Sequence, residues 1–273
     1  MFLSFFFLFF LLLSPSPQPV FANTPLPFDH SEWDRFLKEF VNEKGEVNYR
    51  AAKEKPELLQ KYLSRLKTIP EDEFNQWPRE ERAALILNAY NAGVIQAILL
   101  HYPVKNPMAI SGIWDEQSVL ITTLASGDKA RAYSLNEIQR DLLLKQFRDE
   151  KILFALCNGS RSSPPLQKEA FTGPRLEGQL YLVTRQFVND EKKNQIDLTH
   201  KKVVLSRIFQ WYGRDFILNW RDYPEDERWG PDRKAVLSFL AHYLEDSKKV
   251  EFLKEGEYKV KYQSFDWRLN DWA

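Results

Sequence analysis

Cysteine is nearly absent from this sequence. Cys157 is the only one among 273 residues, so the chain cannot form an internal disulfide. Its stability must therefore come from the packing of a core rather than from covalent cross-links. An excess of one charge is also lacking, because Lys and Arg together number 38 and so do Asp and Glu. With no net positive charge and no basic stripe, binding to nucleic acid is not expected.

The motifs of common metal and catalytic sites are missing as well. The chain has four histidines but no His-x-x-x-His pair, and its Asp and Glu residues are scattered, so we expect neither a metal site nor a cofactor. His30 and Asp34 lie four residues apart in a predicted helix, where capping and surface roles explain them better than metal binding. The serines after Cys157 lack the second glycine of the G-x-S-x-G motif of serine hydrolases.

One long apolar run stands at the N-terminus. Residues 5–13 are apolar without interruption, and a Pro/Ser break leads to a small-residue site at residues 20–22. The run is too short to span a bilayer and is typical of a secretory signal peptide cleaved after Ala22. No Lys or Arg precedes it, so retention as a membrane anchor is the alternative.

The domain organisation follows from that cleavage site. Residues 1–22 are predicted to be the signal peptide, and residues 23–273 are long enough for a single domain with one sizeable core. We therefore expect a secreted, periplasmic or extracytoplasmic protein. After signal cleavage we expect no stable membrane insertion.

Hydrophobic periodicity predicts many helices and a few short strands. "REERAALILNAYNAGVIQAILLHYP" is apolar almost all round, which predicts a central buried helix. "SVLITTLASGDKARAYSL" and "NQIDLTHKKVVLS" have the alternation of hairpins, and "KILFALC" has the length of a strand buried on both faces. No regular β-α-β rhythm appears. The pattern favours an α+β single domain with several helices around the central one and a small mixed or antiparallel sheet with hairpins.

The residues after "KILFAL" offer candidate nucleophiles. Cys157 would need a base within hydrogen-bond reach, and His101 and His242 are the candidates. The competing interpretation is an inert cysteine buried in a strand. Ser160 and Ser163 are alternative nucleophiles, or else turn residues whose hydroxyls bind the main chain.

A ligand-binding pocket is the alternative to catalysis. Arg161 is suited to clamp a carboxylate, either of a ligand or of the protein itself. Asn88 and Asn91 lie on one side of the central helix, where each amide must find partners, so we expect them to tether a neighbouring loop. Together with Asn158 and Ser160, these residues would converge around a pocket for a small molecule, a peptide or a cell-wall component.

Aromatic residues are abundant, with eight Trp, eleven Tyr and twenty Phe. In a domain of this size most of them are expected to fill the core and its rim. A third interpretation assigns the aromatic segment between Trp211 and Trp229, including Trp220, to contact with a glycan or the cell wall.

Several segments, taken together, resemble a known family. They are "FDHSEWD", "VNYRAAK", "LNAYNA", "LLHYPVKN", "FALCNGSRSSPPL", "AFTGPRLEGQL", "LSRIFQWYGRDF" and "FDWRLND". In this order they resemble the bacterial secreted branch of the domain of unknown function 547 family and cover nearly all of the chain after residue 22. The resemblance implies a common fold, but no settled activity comes with it.

The chain departs from the pattern of that family at chemically important positions. The pattern has a Glu-His pair at Gln139 and Arg140, a histidine at Leu153, and cysteines at Asn158 and Ser163. Cys157 stands one residue early, and on a strand its sulfur would point to the opposite face from the cysteine of the family. We therefore favour a binding or interaction module over the alternative, a thiol- or serine-dependent hydrolase or acyl transferase.

Overall fold

A long buried helix forms the centre of the fold. This helix, α5 (Arg79–His101), is buried on all sides from Ala83 to Leu99, with Gln96 alone half-buried. It is long and apolar enough to cross a membrane, but 89% of its apolar stretch is covered by the rest of the protein, as expected of a core helix. The prediction of a central buried helix is confirmed.

Shorter helices surround α5 in the part of the chain that the computed structural model describes, residues 28–116, 119–121, 131–220 and 228–272. The predicted signal peptide at residues 1–22 lies outside these ranges. Before α5 come α1 (Ser31–Phe40), α2 (Tyr49–Glu54), α3 (Glu57–Leu66) and α4 (Glu71–Gln76). After it come α6 (Leu135–Glu137), α7 (Lys145–Phe147), α8 (Leu176–Asn189), α9 (Arg207–Trp211), α10 (Pro231–Tyr243) and α11 (Ser247–Glu255).

Helix α6 begins at a capping box, as its sequence predicts. Ser134 Oγ accepts the main-chain N–H of Glu137, and the Glu137 carboxylate accepts the N–H of Ser134 at 2.8 Å. The helix continues into α7 through a π-helical segment, Ile138–Leu144. Such segments are rare and occur frequently at functional sites.

The strands are short and form two small sheets. β1 (Val119–Ile121) and β2 (Arg131–Tyr133) pair as an antiparallel hairpin, whose predicted turn at residues 126–128 lies outside the described residues. β3 (Gln195–Asp197) and β4 (Lys202–Leu205) form a second antiparallel hairpin. β5 (Lys259–Tyr262) then pairs with β4 in parallel. The α+β class and the mixed sheet with hairpins are confirmed.

The prediction of a buried strand at "KILFALC" is wrong. Glu150–Phe154 is a 3₁₀ helix capped by Asp149, and the chain from Ala155 to Cys157 continues without regular structure. All residues from Ile152 to Cys157 are buried, and a short apolar run does not distinguish a strand from a buried helical turn. The inference that a shift of one residue reverses the direction of the sulfur therefore does not apply.

Much of the aromatic content fills the core, as expected. Phe154, Phe187, Phe209, Phe216 and Phe239 are buried against one another, with ring centroids between 4.8 and 6.4 Å apart. They come from α8, α9, α10 and two 3₁₀ helices. This cluster therefore fastens the C-terminal helices to the 3₁₀ helix that leads into Cys157.

His30 is buried at the start of α1, so its assignment to a surface role is wrong. Its Nδ1 lies 2.9 Å from the Tyr62 hydroxyl and 3.2 Å from Nδ2 of Asn88. Because an amide nitrogen only donates, Nδ1 is the acceptor and the proton resides on Nε2, which has no partner among the described residues. Burial lowers the pKa of His30 to about 4, so the imidazole is neutral at pH 7.

We predict that His30 makes the fold acid-sensitive. Its folded pKa of about 4 lies below the ordinary value of 6.5, so the unfolded chain takes up the proton first as the pH falls. The contribution of His30 is complete above about pH 6.5 and is lost as the pH approaches 4.

Chemical denaturation at pH 7.5 and pH 4.5 measures this effect. Between these pH values, the unfolding free energy of the wild type should fall by about 2 to 3 kcal/mol more than that of His30→Gln. Asp29, Asp34 and Arg65, the charged groups near His30, are present in both proteins. Parallel losses in the two proteins would refute the assignment.

Candidate functional site

The loop after the 3₁₀ helix is attached to α5 by a buried amide. Asn91, only 2% exposed, donates from Nδ2 to the carbonyl of Ala155, and its Oδ1 accepts the N–H of Cys157, both at 2.9 Å. One side chain thus supplies the hydrogen bonds that a neighbouring strand would otherwise supply to these buried main-chain groups. The predicted tethering role of Asn91 is present in the structure.

Asn88 makes the same kind of bridge one turn earlier. It donates to the carbonyl of Phe171 at 2.8 Å and accepts the N–H of the same residue at 3.0 Å. It lines none of the cavities described below, and neither does Asn91. The two amides therefore hold main-chain segments in place and do not converge with Arg161 on one pocket.

Cys157, near the start of this loop, has a buried side chain. It is 2% exposed, and its sulfur is 3.6 Å from Nδ2 of Asn270 on the C-terminal segment. Burial raises the pKa of the Cys157 thiol, and the Gly159 N–H and Ser163 hydroxyl offset this only in part. The structure therefore presents a neutral, inaccessible thiol.

The two candidate bases make their contacts elsewhere. Nδ1 of His101 bonds the carbonyl of Ala97 within its own helix, at 2.9 Å. The ring of His242 is exposed and packs on Trp220, with centroids 5.0 Å apart. Neither lines a cavity that includes part of the Cys157 loop.

The candidate serines are engaged within the loop. Ser160 donates from Oγ to Oδ1 of Asn158 at 2.6 Å, while Ser163 accepts the N–H of Asn158 at 2.8 Å. Both serines are 2% exposed. These bonds are those of turn residues, the second of the two interpretations of the serines.

An aromatic pocket of about 270 Å³ lies on one side of the loop. Its walls are aromatic rings, carboxamides and aliphatic side chains. They are Tyr90, Trp114, Trp211, Tyr212 and Trp267, then Asn136, Gln139 and Asn158, and finally Leu153, Leu156, Pro164 and Ile208. We call this cavity the aromatic pocket. Its lining includes no carboxylate, histidine, cysteine, lysine or arginine among the described residues.

Several polar groups face this pocket with hydrogen-bonding capacity left. Gln139 donates to the Tyr212 hydroxyl at 2.8 Å, which leaves its Oε1 without a described partner. Nδ2 of Asn158 donates to no described residue. Burial raises the pKa of Tyr90 and of Tyr212, so both phenols stay neutral.

A larger cleft of about 510 Å³ opens on the other side of the loop. Ser160, Arg161 and Ser163 line it together with Lys193 and Arg207. We call this cavity the charged cleft. Pro164 lines both cavities, so the loop separates two chemically different sites. A carboxylate of the protein itself, one of the two partners considered for Arg161, is not found among the ion pairs of the described residues.

The three tryptophans Trp211, Trp220 and Trp229 do not share one aromatic face. Trp211 is 48% exposed at the aromatic pocket, with its ring 6.0 Å from that of Trp267. Trp220 is partly buried and packs against the core on Phe239, and Trp229 is buried against Tyr258. Of the three tryptophans, only Trp211 is placed to contact a ligand in this pocket.

Tyr90, Trp114 and Trp267 were not identified from the sequence as site residues. They come from α5, from the turn before β1 and from the C-terminal segment. Two segments of the sequence hold residues of this group: "NAYN" on the central helix contains Tyr90, and "FDWRLND" at the C-terminus contains Trp267. Neither segment has a spacing that predicts a shared pocket.

Residues 74–188 match the model of a protein family described as "Protein of unknown function, DUF547". The match supports the resemblance to that family across α4 to α8, and it includes Gln139, Leu153 and Asn158. Comparisons with curated proteins and with solved structures found no match.

We predict that Cys157 is unreactive in the folded protein. Burial and the raised pKa disfavour the thiolate that attacks electrophiles. Labelling with iodoacetamide across pH 6 to 10 should proceed only at the rate of unfolding, and it should be fast in denaturant. Rapid native-state labelling with an apparent pKa below the ordinary thiol value would contradict the structural role and favour the enzyme.

Proposed function

We propose that this protein is a binding protein whose aromatic pocket takes a small, uncharged polar ligand with an apolar ring face, a sugar being the simplest example. The observation that carries the proposal is the pocket lining, which combines five aromatic rings with three carboxamides. At about 270 Å³ the pocket lies just below the usual range of small-molecule sites, roughly 300–1,000 Å³. One monosaccharide unit therefore suits it better than an extended chain.

The lining supports binding by two complementary contacts. The exposed face of Trp211 offers a surface for stacking against the apolar face of a ring. Asn158 supplies a free amide donor and Gln139 a free amide acceptor, which suit hydroxyl groups. Hydroxyl groups both donate and accept, so a sugar satisfies both amides at once.

The departures from the family pattern point in the same direction. Gln139, Leu153 and Asn158 stand where the resemblance implies Glu, His and Cys, and all three line the aromatic pocket. Neutral side chains at these positions keep the cavity but supply no acid, base or nucleophile. Binding without turnover is the activity that such a lining favours.

The alternative of a thiol- or serine-dependent hydrolase or acyl transferase has less support. It requires a nucleophile and a base in contact, whereas Cys157 is buried and His101 and His242 make other contacts. Ser160 and Ser163 have their hydroxyls bonded within the loop. None of these three candidate nucleophiles is hydrogen-bonded to His101 or His242 among the described residues.

We predict that Trp211→Ala weakens sugar binding about tenfold or more, because it removes the stacking face. Tryptophan fluorescence and saturation-transfer NMR, with glucose and N-acetylglucosamine as probes, measure the Kd. Asn158→Asp removes the free donor but keeps the oxygen that accepts from Ser160. It should weaken binding about fivefold, since one hydrogen bond contributes about 1 kcal/mol.

Trp272→Ala is the matched control, because Trp272 is 45% exposed and lines neither cavity. It should leave the Kd of either sugar unchanged. The proposal fails if neither sugar gives saturable binding, or if Trp211→Ala and Trp272→Ala bind equally well.

We further propose that the chain is exported, as in the secreted branch of the family that it resembles. The support is the apolar run at residues 5–13 followed by the small-residue site that ends at Ala22. Expression of the full chain in a bacterial host should give an extracytoplasmic protein that begins at Asn23, identified by N-terminal sequencing. Ala22→Arg should block cleavage. Recovery of full-length wild type in the cytoplasm would contradict export.

A further inference from the structure

We infer that the charged cleft is a second binding site, which takes an oxyanion: a carboxylate or a phosphate group. This site is separate from the aromatic pocket and does not depend on the function proposed for it. The loop that carries Arg161 forms one wall, and Arg207 and Phe265 lie among the other lining residues.

Arg161 has no counter-charge of its own. Its guanidinium makes no hydrogen bond and no ion pair with another described residue, and the residue is exposed at the cleft. Arg268, and more weakly Arg161, lower the pKa of Asp266. The Asp266 carboxylate is already paired with Arg268, at 2.6 Å. The donors of Arg161 are therefore free for a ligand.

Two further cations donate hydrogen bonds only to neutral oxygens. Nζ of Lys193 donates to the carbonyls of Arg161 and Ser163, at 3.1 and 2.8 Å. Arg207 donates to the carbonyl of Gln263 at 3.0 Å and to the side-chain oxygen of Gln210 at 2.7 Å. These bonds fix the positions of both charges without neutralising them.

Among the described residues, three carboxylates also line the cleft, and only Glu43 is paired with a cation outside it. Glu43 pairs with Lys168, which lies outside the lining, and Glu46 accepts from the amide of Asn42 at 2.9 Å. Asp190 accepts a main-chain N–H and acts on Lys193 only through its charge. Five cations line the same cleft, namely Lys44, Arg161, Lys192, Lys193 and Arg207.

An oxyanion supplies what this arrangement lacks. A guanidinium binds a carboxylate or phosphate through two parallel N–H···O bonds, and charge-assisted bonds of this kind are about twice as strong as neutral ones. Burial lowers the pKa of Lys193, and an anion beside it would favour its charged form. The loop of Ser160 to Ser163 would then be held by the anion through Arg161 and by Lys193 through its main-chain carbonyls.

Titration with inorganic phosphate and with malonate, at constant ionic strength, tests the site. Amide chemical shifts of the ¹⁵N-labelled protein report binding, and chloride at the same ionic strength corrects for screening. We expect saturable shifts at Ser162, Ser163 and Lys193. Arg161→Gln should raise the Kd at least tenfold, because it removes the guanidinium that binds the anion. The variant should still fold, since this guanidinium bonds no described residue.

Arg185→Gln is the matched control, since Arg185 is exposed and pairs with Glu245 away from the cleft. It should leave the Kd for either probe unchanged. Saturation by phosphate alone identifies a phosphate site, and saturation by malonate alone or by both identifies a carboxylate or general oxyanion site. Absence of saturation with both probes, or equal Kd values in Arg161→Gln and Arg185→Gln, would overturn the inference.

Discussion

Two buried carboxamides on the central helix hold the candidate site in place. Asn88 and Asn91 lie inside an otherwise apolar helix, where an unbonded amide would cost about 1–3 kcal/mol per polar group. Each amide meets this requirement with both a donor and an acceptor of a neighbouring main-chain segment. Segments that belong to no sheet are thereby fixed against the core, as strands are fixed by their neighbours.

The position of the loop after Phe154 determines what each of its residues does. The bond from Asn91 to the Cys157 N–H turns the thiol into the buried interior, beside Asn270. Asn158 then reaches the aromatic pocket, and Arg161 reaches the charged cleft. The same loop thus presents an amide to one cavity and a guanidinium to the other. A nucleophile at position 157 would need an open surface there, whereas Cys157 is buried.

The helices and hairpins could be predicted from the sequence because their signals are local. The continuous apolar character of α5 and the capping box at Ser134 depend on residues within a few positions of one another. "KILFALC" carries no such signal, since an apolar run has the same composition in a strand and in a buried 3₁₀ helix. The partner that decided between them, Asn91, lies 66 residues away from Cys157.

The site was predictable only in part, because it too depends on contacts between residues that lie far apart in the sequence. Asn91, Asn158 and Arg161 attract notice as polar residues in or beside apolar segments, but their distribution over two cavities depends on the course of the chain. The burial of His30 depends on Tyr62 and Asn88, which no short motif connects to it.

Native-state hydrogen exchange at the Cys157 amide measures the tether to Asn91 directly. If this bond fixes the loop to the core, the Cys157 N–H should exchange only through global unfolding, with an opening free energy equal to that of unfolding. The N–H of the exposed residue Glu191, which bonds no described residue, should exchange freely in the same experiment. A Cys157 amide that opens several kcal/mol more easily than the protein unfolds would show that the loop moves independently, and would contradict this account.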